Sequence, residues 1–426
     1  MEKRRGFLLF LSMSAIAMLI VSLVAACGSK SDKSNTNASV SYTSTDQAAK
    51  SGSSANAAVD LSQSMNDAAA GLGTDSNPTA YNAPGVNSSA DTASLSAIDP
   101  QLKSLADGMI GQMKSTIVAD AVAKARAMRS AHLASAPSAT SLTIHGFCVD
   151  GVGTFTITGS DSSTVTYKEY TVDIVLNACP DSTSAIHSVS SGTIHVYEKE
   201  LNDNSSVNRH ATIDLTALDY NGAALTKTKK AKGDFNADES GSLTSRTGTN
   251  SANGSYSETI PVTGGEQVGT FYFTNLSGAW TWNLASSVKT VSNTLNGSFG
   301  LNVTSPSGSL KLDIALANLQ DRVRHNDIGS LLGSRDRWIN GSITITWTPD
   351  LSAYGCIGGT TTFTTAEATP LHYSIPASKC PATGTLVINN ATIIFGNPIV
   401  VKVGNDQTTF ASCAEMDHNG LCGGNN

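Results

Sequence analysis

The chain has 426 residues, a formal net charge of −7 and only 14% charged residues. No broad basic excess is present to neutralise phosphates, which argues against a nucleic-acid partner. Ser, Thr, Asn and Gly dominate the polar positions, the composition of an exported β-protein with many turns.

At the N-terminus, Lys3, Arg4 and Arg5 precede an apolar stretch from Phe7 to Val24, and small residues lead into Cys27 (Leu23-Val24-Ala25-Ala26-Cys27). A charged start, an apolar core and small residues at the cut describe an export signal over residues 1–26. The apolar stretch is at the short edge of what spans a bilayer. A cysteine directly after the small residues resembles the signal of bacterial lipoproteins. The resemblance implies that Cys27 is acylated, with palmitate-type chains, and becomes the first residue of the mature protein. Each buried CH₂ of such a chain contributes about 0.8 kcal/mol to anchoring. Gly28 stands where an Asp signals inner-membrane retention in that family, so the resemblance implies the outer membrane, facing periplasm or cell surface. No other stretch is long and apolar enough to cross a membrane as a helix.

Residues 27–98 read as the lipidated cysteine and a flexible Ser/Asn/Ala-rich tether. From Gly28 to about Ala55 almost no large apolar residue occurs, too few to offset the entropy of ordering. A short helix is indicated by Leu61, Met65, Ala69 and Leu72. Over 99–133 the period becomes helical. Asp99 supplies an N-cap and Pro100 the first helical position. Leu102, Leu105, Ala106, Met109, Met113, Ile117, Ala121, Ala125 and Met128 then recur at three- and four-residue steps. Gly108 and Gly111 each cost about 1 kcal/mol in a helix, so this amphipathic helix needs a packing partner. A β-domain beneath it is the plain partner; a cavity that it covers is the sharper one.

Residues 142–426 read as a β-rich domain. Tyr170, Val172, Ile174 and Leu176 alternate with Thr171, Asp173 and Val175. Leu310, Leu312, Ile314 and Leu316 repeat the pattern, as do Ile343, Ile345 and Trp347. Period two describes half-buried antiparallel strands. Asn221-Gly222, Asn253-Gly254, Asn296-Gly297 and Asn340-Gly341 supply the positive φ of tight hairpins. Polar-Gly-small triplets at Gly192, Gly254, Gly278, Gly297, Gly308, Gly341 and Gly384 are read as strand openings. The expected fold is mainly β: an antiparallel meander forming a sandwich or strongly curved sheet, with one long N-terminal helix.

Beyond Cys27 there are six cysteines: Cys148, Cys179, Cys356, Cys380, Cys413 and Cys422. An even number in an exported chain reads as disulfides. Nearest-neighbour pairing is expected: Cys148–Cys179, Cys356–Cys380 and Cys413–Cys422. An internal repeat supports it. Cys148 and Cys356 both open C-x-x-G-x-x-T-F-T; Cys179-Pro180 and Cys380-Pro381 follow, then Gly192-Thr193 and Gly384-Thr385. Two similar disulfide-pinned ends, 148–196 and 356–388, are inferred. The stretch Cys380 to Gly396 also resembles a strand-turn-strand pattern of β-rich bacterial surface lipoproteins of unassigned function, which bears on fold class alone.

No catalytic constellation is legible. Ser286 and Lys289 fit S-x-x-K without its companion motifs. The eight histidines are scattered, with His187 and His195 the closest pair, read as surface residues. Asp234, Asn236 and Asp238 match the first ligands of a calcium loop, but Glu239 stands at the glycine position, so a solvated hairpin tip is expected. Glu415, Asp417, His418 and Asn419 are explained by a disulfide-closed turn. No cofactor and no metal are expected. Lys227, Lys229, Lys230 and Lys232 are read as a basic hairpin tip. Asp321 to Arg337, followed by Trp338, is read as a long loop or short helix.

The resulting expectation is a non-enzymatic binding or structural module of the bacterial cell envelope, held to the membrane through Cys27. Its partner would be an envelope protein, a polysaccharide or an apolar ligand. The alternative is a carrier of a lipid or other apolar ligand, with the 99–133 helix covering a curved sheet. Replacing Cys27 with Ala is expected to move the processed protein from the membrane to the soluble fraction. Membrane fractionation of the variant checks this, and unchanged membrane association would remove the lipid as the anchor.

Overall fold

The computed structural model describes residues 39–49, 51–52, 100–113, 121, 123, 140–203, 205–242, 244–285, 287–326, 334–352, 356–374 and 380–416. Cys27, Cys422 and most of the expected tether lie outside these residues.

Among the described residues, seventeen strands join in one sheet. The opening strands are β1 (Thr140–Phe147), β2 (Thr154–Asp161), β3 (Tyr167–Pro180), β4 (Ile186–Leu201), β5 (Ser206–Asn221) and β6 (Ala224–Gly241). They continue as β7 (Ser245–Val262), β8 (Gly265–Ala285), β9 (Val288–Ser305), β10 (Gly308–His325) and β11 (Arg335–Thr348). Each of these pairs antiparallel with its neighbour in sequence. Short strands finish the sheet: β12 (Gly359–Thr364), β13 (Leu371–Tyr373), β14 (Gly384–Ile388), β15 (Ala391–Phe395), β16 (Ile399–Val403) and β17 (Asp406–Phe410). β11 carries β12 and β13 along its far edge, and β12 passes the sheet on to β14. The expected antiparallel meander is present as one large sheet.

The alternation in sequence produces two faces. Tyr170, Val172, Ile174 and Leu176 are buried, as are Leu312, Ile314 and Leu316, and Ile343, Ile345 and Trp347. The residues between them face water. Burying each such aliphatic or aromatic side chain stabilises by about 1.5–3 kcal/mol.

Three of the four Asn-Gly pairs differ from expectation. Asn221-Gly222 closes the β5–β6 hairpin, but Asn253-Gly254, Asn296-Gly297 and Asn340-Gly341 lie inside long strands. The triplets at Gly192 and Gly278 are also internal, whereas Gly308 and Gly384 open strands as read. The internal sites form a line of β-bulges across the sheet. Pairing registers shift at Leu176/Cys179, Ala252/Gly254, Thr274/Ser277, Leu316/Leu319 and Ala317/Gln320. The extra residue adopts positive φ at Ala178, Asn275 and Asn318. Its backbone N–H donates to a side chain on the adjacent strand: Ala178 to Ser191 Oγ at 2.9 Å, Asn275 to Asn253 Oδ1 at 2.6 Å, Asn318 to Asn296 Oδ1 at 2.8 Å. The chemistry that makes Asn-Gly a good turn serves here as a bulge clamp, and bulges bend and twist a strand.

One helix packs on the buried face. α1 (Pro100–Met113) lies against β7, β8 and β9. Leu105, Ala106 and Met109 are buried in the same core cluster as Tyr256, Phe271 and Phe273. Gly108 lets the helix approach closely, since a Cβ there would meet the Tyr256 ring at 2.6 Å. The described helix is much shorter than the 99–133 reading. Residues 121 and 123 are also helical, and the rest of 114–133 lies outside the described residues.

Part of the expected tether is docked. Val40 donates its N–H to Thr360 O, and Tyr42 is buried with its hydroxyl 2.9 Å from Thr361 Oγ1. Ala48 and Ala49 are buried, and Gly52 sits against Ile393. A segment poor in large apolar residues packs because small residues fit tightly on a β surface. Asn389 and Asn390 side chains also hold its backbone, at Val40 O and Tyr42 O.

The disulfides correct the pairing scheme. Cys148–Cys179 forms as expected, with Cα atoms 5.4 Å apart. Cys380 pairs with Cys413, Cα to Cα 5.7 Å, instead of with Cys356. Cys356 is disulfide-bonded elsewhere. The repeat misled because β3 spans fourteen residues and returns Cys179 to Cys148, whereas its counterpart β13 spans three. α2 (Cys413–Met416) instead presents Cys413 to Cys380.

The bulge line yields a stability test. Gly341 has φ +118°, and a Cβ there would lie 2.3 Å from Asn318 O. Gly341→Ala is expected to destabilise by about 2–3 kcal/mol in chemical denaturation. Gly222→Ala, in open space at a hairpin, is expected to cost about 1 kcal/mol. Equal effects would remove the steric account of the bulge.

Candidate functional site

The buried face changes chemistry along the strands. On the α1 side it is apolar. On the far side it carries charge. Glu198 and Glu239, almost completely buried, flank Arg209: Nε lies 2.7 Å from Glu198 Oε2 and Nη1 lies 3.4 Å from Glu239 Oε1. Arg246 Nη1 reaches Glu239 Oε2 at 3.3 Å. Burial pushes the Glu239 carboxyl up, and Arg209 and Arg246 pull it partly back. Such pairs add little net stability, but removing one partner strands a buried charge and costs about 3–5 kcal/mol. Farther along, Arg337 Nε lies 2.5 Å from Asp321 Oδ1.

Lys289, His325 and Arg335 stand in one row across β9, β10 and β11. Lys289, noted for S-x-x-K, is thus a buried residue of strand β9; Ser286 lies outside the described residues. The charged run Asp321 to Arg337 is neither loop nor helix at its ends. Asp321, Arg322 and Arg324 belong to β10, and Arg335, Asp336 and Arg337 to β11; residues 327–333 lie outside the described residues. Arg322 stacks on the Trp338 ring, 4.0 Å from its centroid. Asp336 accepts from Arg324 Nη2 at 2.8 Å, Asn326 Nδ2 at 3.0 Å and His372 Nδ1 at 2.7 Å. These bonds hold its carboxyl below the usual range, against the opposing effect of its burial.

The wet face is largely polar, with Val175 exposed on it. The supposed calcium loop is an ordinary stretch of β6: Asp234, Asn236 and Asp238 point to solvent, while Phe235 and Glu239 are buried. Strand alternation spreads the carboxylates along one face instead of wrapping them round an ion. The four lysines also lie within β6, Lys230 and Lys232 on this face and Lys227 and Lys229 on the other, and three of them pair with acids of neighbouring strands, Lys232 Nζ lying 3.7 Å from Asp214. Lys229 Nζ lies 2.7 Å from Asp219 and Lys227 Nζ 2.7 Å from Glu258.

Two adjoining hollows open on the wet face, of ≈ 630 Å³ and ≈ 330 Å³. They share Asp238, Thr249, Ala279 and Thr294, which stand in one row across β6 to β9. The short Ala279 side chain lies low between its neighbours and deepens the trough. Hydroxyl and amide groups line most of the rest, including Thr281, Ser292 and Asn236, with Glu239 and Trp280 also in the wall of the larger hollow. Ser292, in the adjoining row of Ser240, Thr247 and Thr281, faces Arg322 and Trp338 on the next strands, so that row continues to the stacked Arg–Trp pair. Sequence reading missed this trough, because no single strand carries it. Spacing along one strand is local, whereas the trough is a row across four.

Among the described histidines, His145 Nδ1 lies 3.1 Å from Thr156 Oγ1, His210 Nε2 lies 3.5 Å from Asp234 Oδ1, and His325 is buried opposite Lys289. His187 stacks on Tyr220. His372 and His195 each face a carboxylate, Asp336 and Asp173, at 2.7 Å. Among the described residues no Ser, Thr or Cys side chain hydrogen-bonds to the other ring nitrogen of either. Among the described residues no group of three or more His, Cys, Asp or Glu could hold a metal ion. Asp417, His418 and Asn419 lie outside them, while Glu415 accepts from the Ala411 N–H.

His325 generates a pH prediction. Burial, and then the positive charges of Arg335 and Lys289, push its imidazole down from 6.5 to about 4. The unfolded chain therefore takes up this proton first. Stability is expected to be full above pH 6.5 and to decline as pH falls toward 4. His325→Gln should flatten that decline in denaturant titrations, and an unchanged slope would acquit His325. No family model, no curated protein and no solved structure matches this chain.

Proposed function

We propose that this chain is a non-catalytic binding module of the bacterial cell envelope, anchored through Cys27 at the outer membrane, and that its wet face takes up a hydroxyl-rich glycan. One observation carries the reading. The apolar face on the α1 side is occupied by Leu105, Ala106 and Met109, while the open hollow on the other face is lined by hydroxyls, amides and Asp238. Such groups donate to and accept from sugar hydroxyls, and a shallow trough across strands suits a polymer more than an enclosed small molecule. The bend at the bulge line gives the trough its shape.

The carrier reading also has an observation behind it, since α1 lies on the apolar face of a curved sheet. It requires α1 to leave. Ala106 and Met109 are fully buried, and Gly108 is fitted to the Tyr256 ring, so α1 is packed as core.

Pull-down of the purified chain on insoluble envelope polysaccharide separates the two. Retention on the polysaccharide is expected, with Asp238→Ala and Thr249→Trp each weakening it at least fivefold while leaving the melting temperature unchanged. Native mass spectrometry on the same sample is expected to show no co-purified lipid. A stoichiometric lipid adduct together with lack of retention would overturn the glycan reading in favour of the carrier.

A further inference from the structure

Exposed apolar side chains gather at one end of the sheet. The connections β1–β2, β3–β4, β5–β6, β7–β8 and β9–β10 all turn there. Gly192, Leu215, Ala231, Tyr256, Phe271 and Leu301 stand directly opposite one another on β4 to β9 and mark a level across the sheet. Ile186, Leu225 and Val262 each lie six residues beyond that level, and Pro306 lies five beyond it. The four hairpin tips therefore end close to one line. Ile186, Leu225 and Val262 are 73%, 43% and 37% exposed, and Pro306 is exposed beside them. Phe147 and Val152 stand exposed farther back at the same end. Within residues 181–186, 221–225, 262–266 and 305–308 only Asp181 and Glu266 are charged, and the rest are small, hydroxyl, amide or apolar residues. At the opposite end Val165 and Leu201 stand among Lys168, Glu200 and Asp203. Separate apolar points set in a line of small polar residues fit a surface with no shape of its own, such as the interfacial layer of a bilayer.

The N-terminal segment enters from the same end. β11 runs toward the tips, since its Thr348 faces Lys311 near the start of β10. β12 is antiparallel to β11, with Thr360 opposite Thr344, and so runs away from them. Ser39 bridges Thr360 in parallel, and the Val40 N–H donates to Thr360 O at 2.9 Å. The chain from Ser39 to Tyr42 therefore also runs away from the tips, and Ser39 is reached from their side. Thr344 faces Ala315, seven residues from Gly308 at the start of β10, which is about 23 Å at 3.3 Å per residue. Twelve residues lead from Cys27 to Ser39, a reach of at most about 40 Å. A lipid on Cys27 can therefore lie in the plane that the tips reach.

We propose that this end of the sheet rests on the lipid bilayer, with Ile186, Leu225 and Val262 entering its interfacial layer beside the acyl anchor. The proposal rests on the reading of Cys27 as lipidated. A few partly exposed side chains add to the acyl chains and do not replace them, so a Cys27→Ala chain still leaves the membrane. Standing on its tips, the sheet holds the trough away from the lipid. Thr249 lies thirteen residues from Val262 along β7, about 43 Å at the same rise. There the trough faces envelope polymer, clear of the headgroups.

The test is quenching of an added tryptophan by brominated lipid. The full processed chain is purified from membranes and reconstituted in vesicles of phosphatidylcholine and phosphatidylethanolamine, with or without bromine on the acyl chains near the headgroup. Ile186→Trp and Leu225→Trp are each expected to lose at least half of their added emission in the brominated vesicles. Val165→Trp, at the opposite end and at a position 91% exposed, should lose none. Trp280, Trp338 and Trp347 are buried, and the wild-type chain supplies the native background. The three substituted positions are exposed, and circular dichroism verifies the fold of each variant. Added tryptophans at 186 and 225 that escape quenching, or that are quenched no more than Val165→Trp, overturn the contact alone when the wild-type chain floats with the vesicles. A wild-type chain that does not float overturns the anchor, and the contact with it.

Discussion

The line of bulges from β3 to β11 is the constraint on which the rest of the molecule depends. Strands of fourteen to twenty-one residues at about 3.3 Å per residue are too long to remain flat and still enclose a core. Each bulge adds one residue, bends its strand and resets the alternation of inside and outside. In β10 the buried set runs Leu312, Ile314, Leu316 and then Leu319, Val323 and His325, with the bulge between. The clamp is chemical as well as steric. A positive-φ residue presents its N–H to the side chain that precedes the facing glycine, as Asn318 does to Asn296 beside Gly297. The polar side chain satisfies the donor that the bulge takes out of the ladder.

The same buried face serves two chemistries along the length of the strands, and in β8 the bulge separates Phe271 and Phe273 from Trp280. On one side the core is aromatic and aliphatic, and α1 completes it. On the other, Glu198, Arg209, Glu239 and Arg246 meet in one largely buried network. Such a network contributes specificity of register more than stability. A one-residue slip of β6 would turn Glu239 out and bring Asp238 in, leaving Arg209 and Arg246 without their partner. The bulges themselves lock the slip out on the neighbouring strands.

The wet face follows from the same geometry. Antiparallel registry aligns Ser, Thr, Asn and Asp from successive strands into rows, and a row is a surface with direction. The trough and the His195–Thr212–Asp234 row both arise this way. Their residues are tens of positions apart in the chain yet adjacent across the strands. Small side chains decide where the surface dips, as Ala279 does. The docking of residues 39–49 and 51–52 on β12, β14, β15 and β17 obeys the same rule, with Gly52 packing where a Cβ would meet Ile393 at 2.4 Å.

The sequence by itself determined the local facts. Period-two alternation at Tyr170–Leu176 and Ile343–Trp347 specified two-faced antiparallel strands, because side-chain direction in a strand depends only on its own backbone. Asp99-Pro100 and the stripe through Leu105, Ala106 and Met109 marked a helix for the same reason, and an even set of cysteines marked disulfides. Tertiary structure decided everything that links distant strands. Asn253-Gly254, Asn296-Gly297 and Asn340-Gly341 have the chemistry of a hairpin turn, and only the neighbouring strands made them bulge clamps. Cys380 had candidate partners on either side in sequence, and the short β13 with the placement of α2 gave it Cys413. Asp234 read as part of a calcium loop until pairing set it in a row with His195. Backbone preference is encoded residue by residue, whereas register, pairing and the rows that form a site exist only once strands lie side by side.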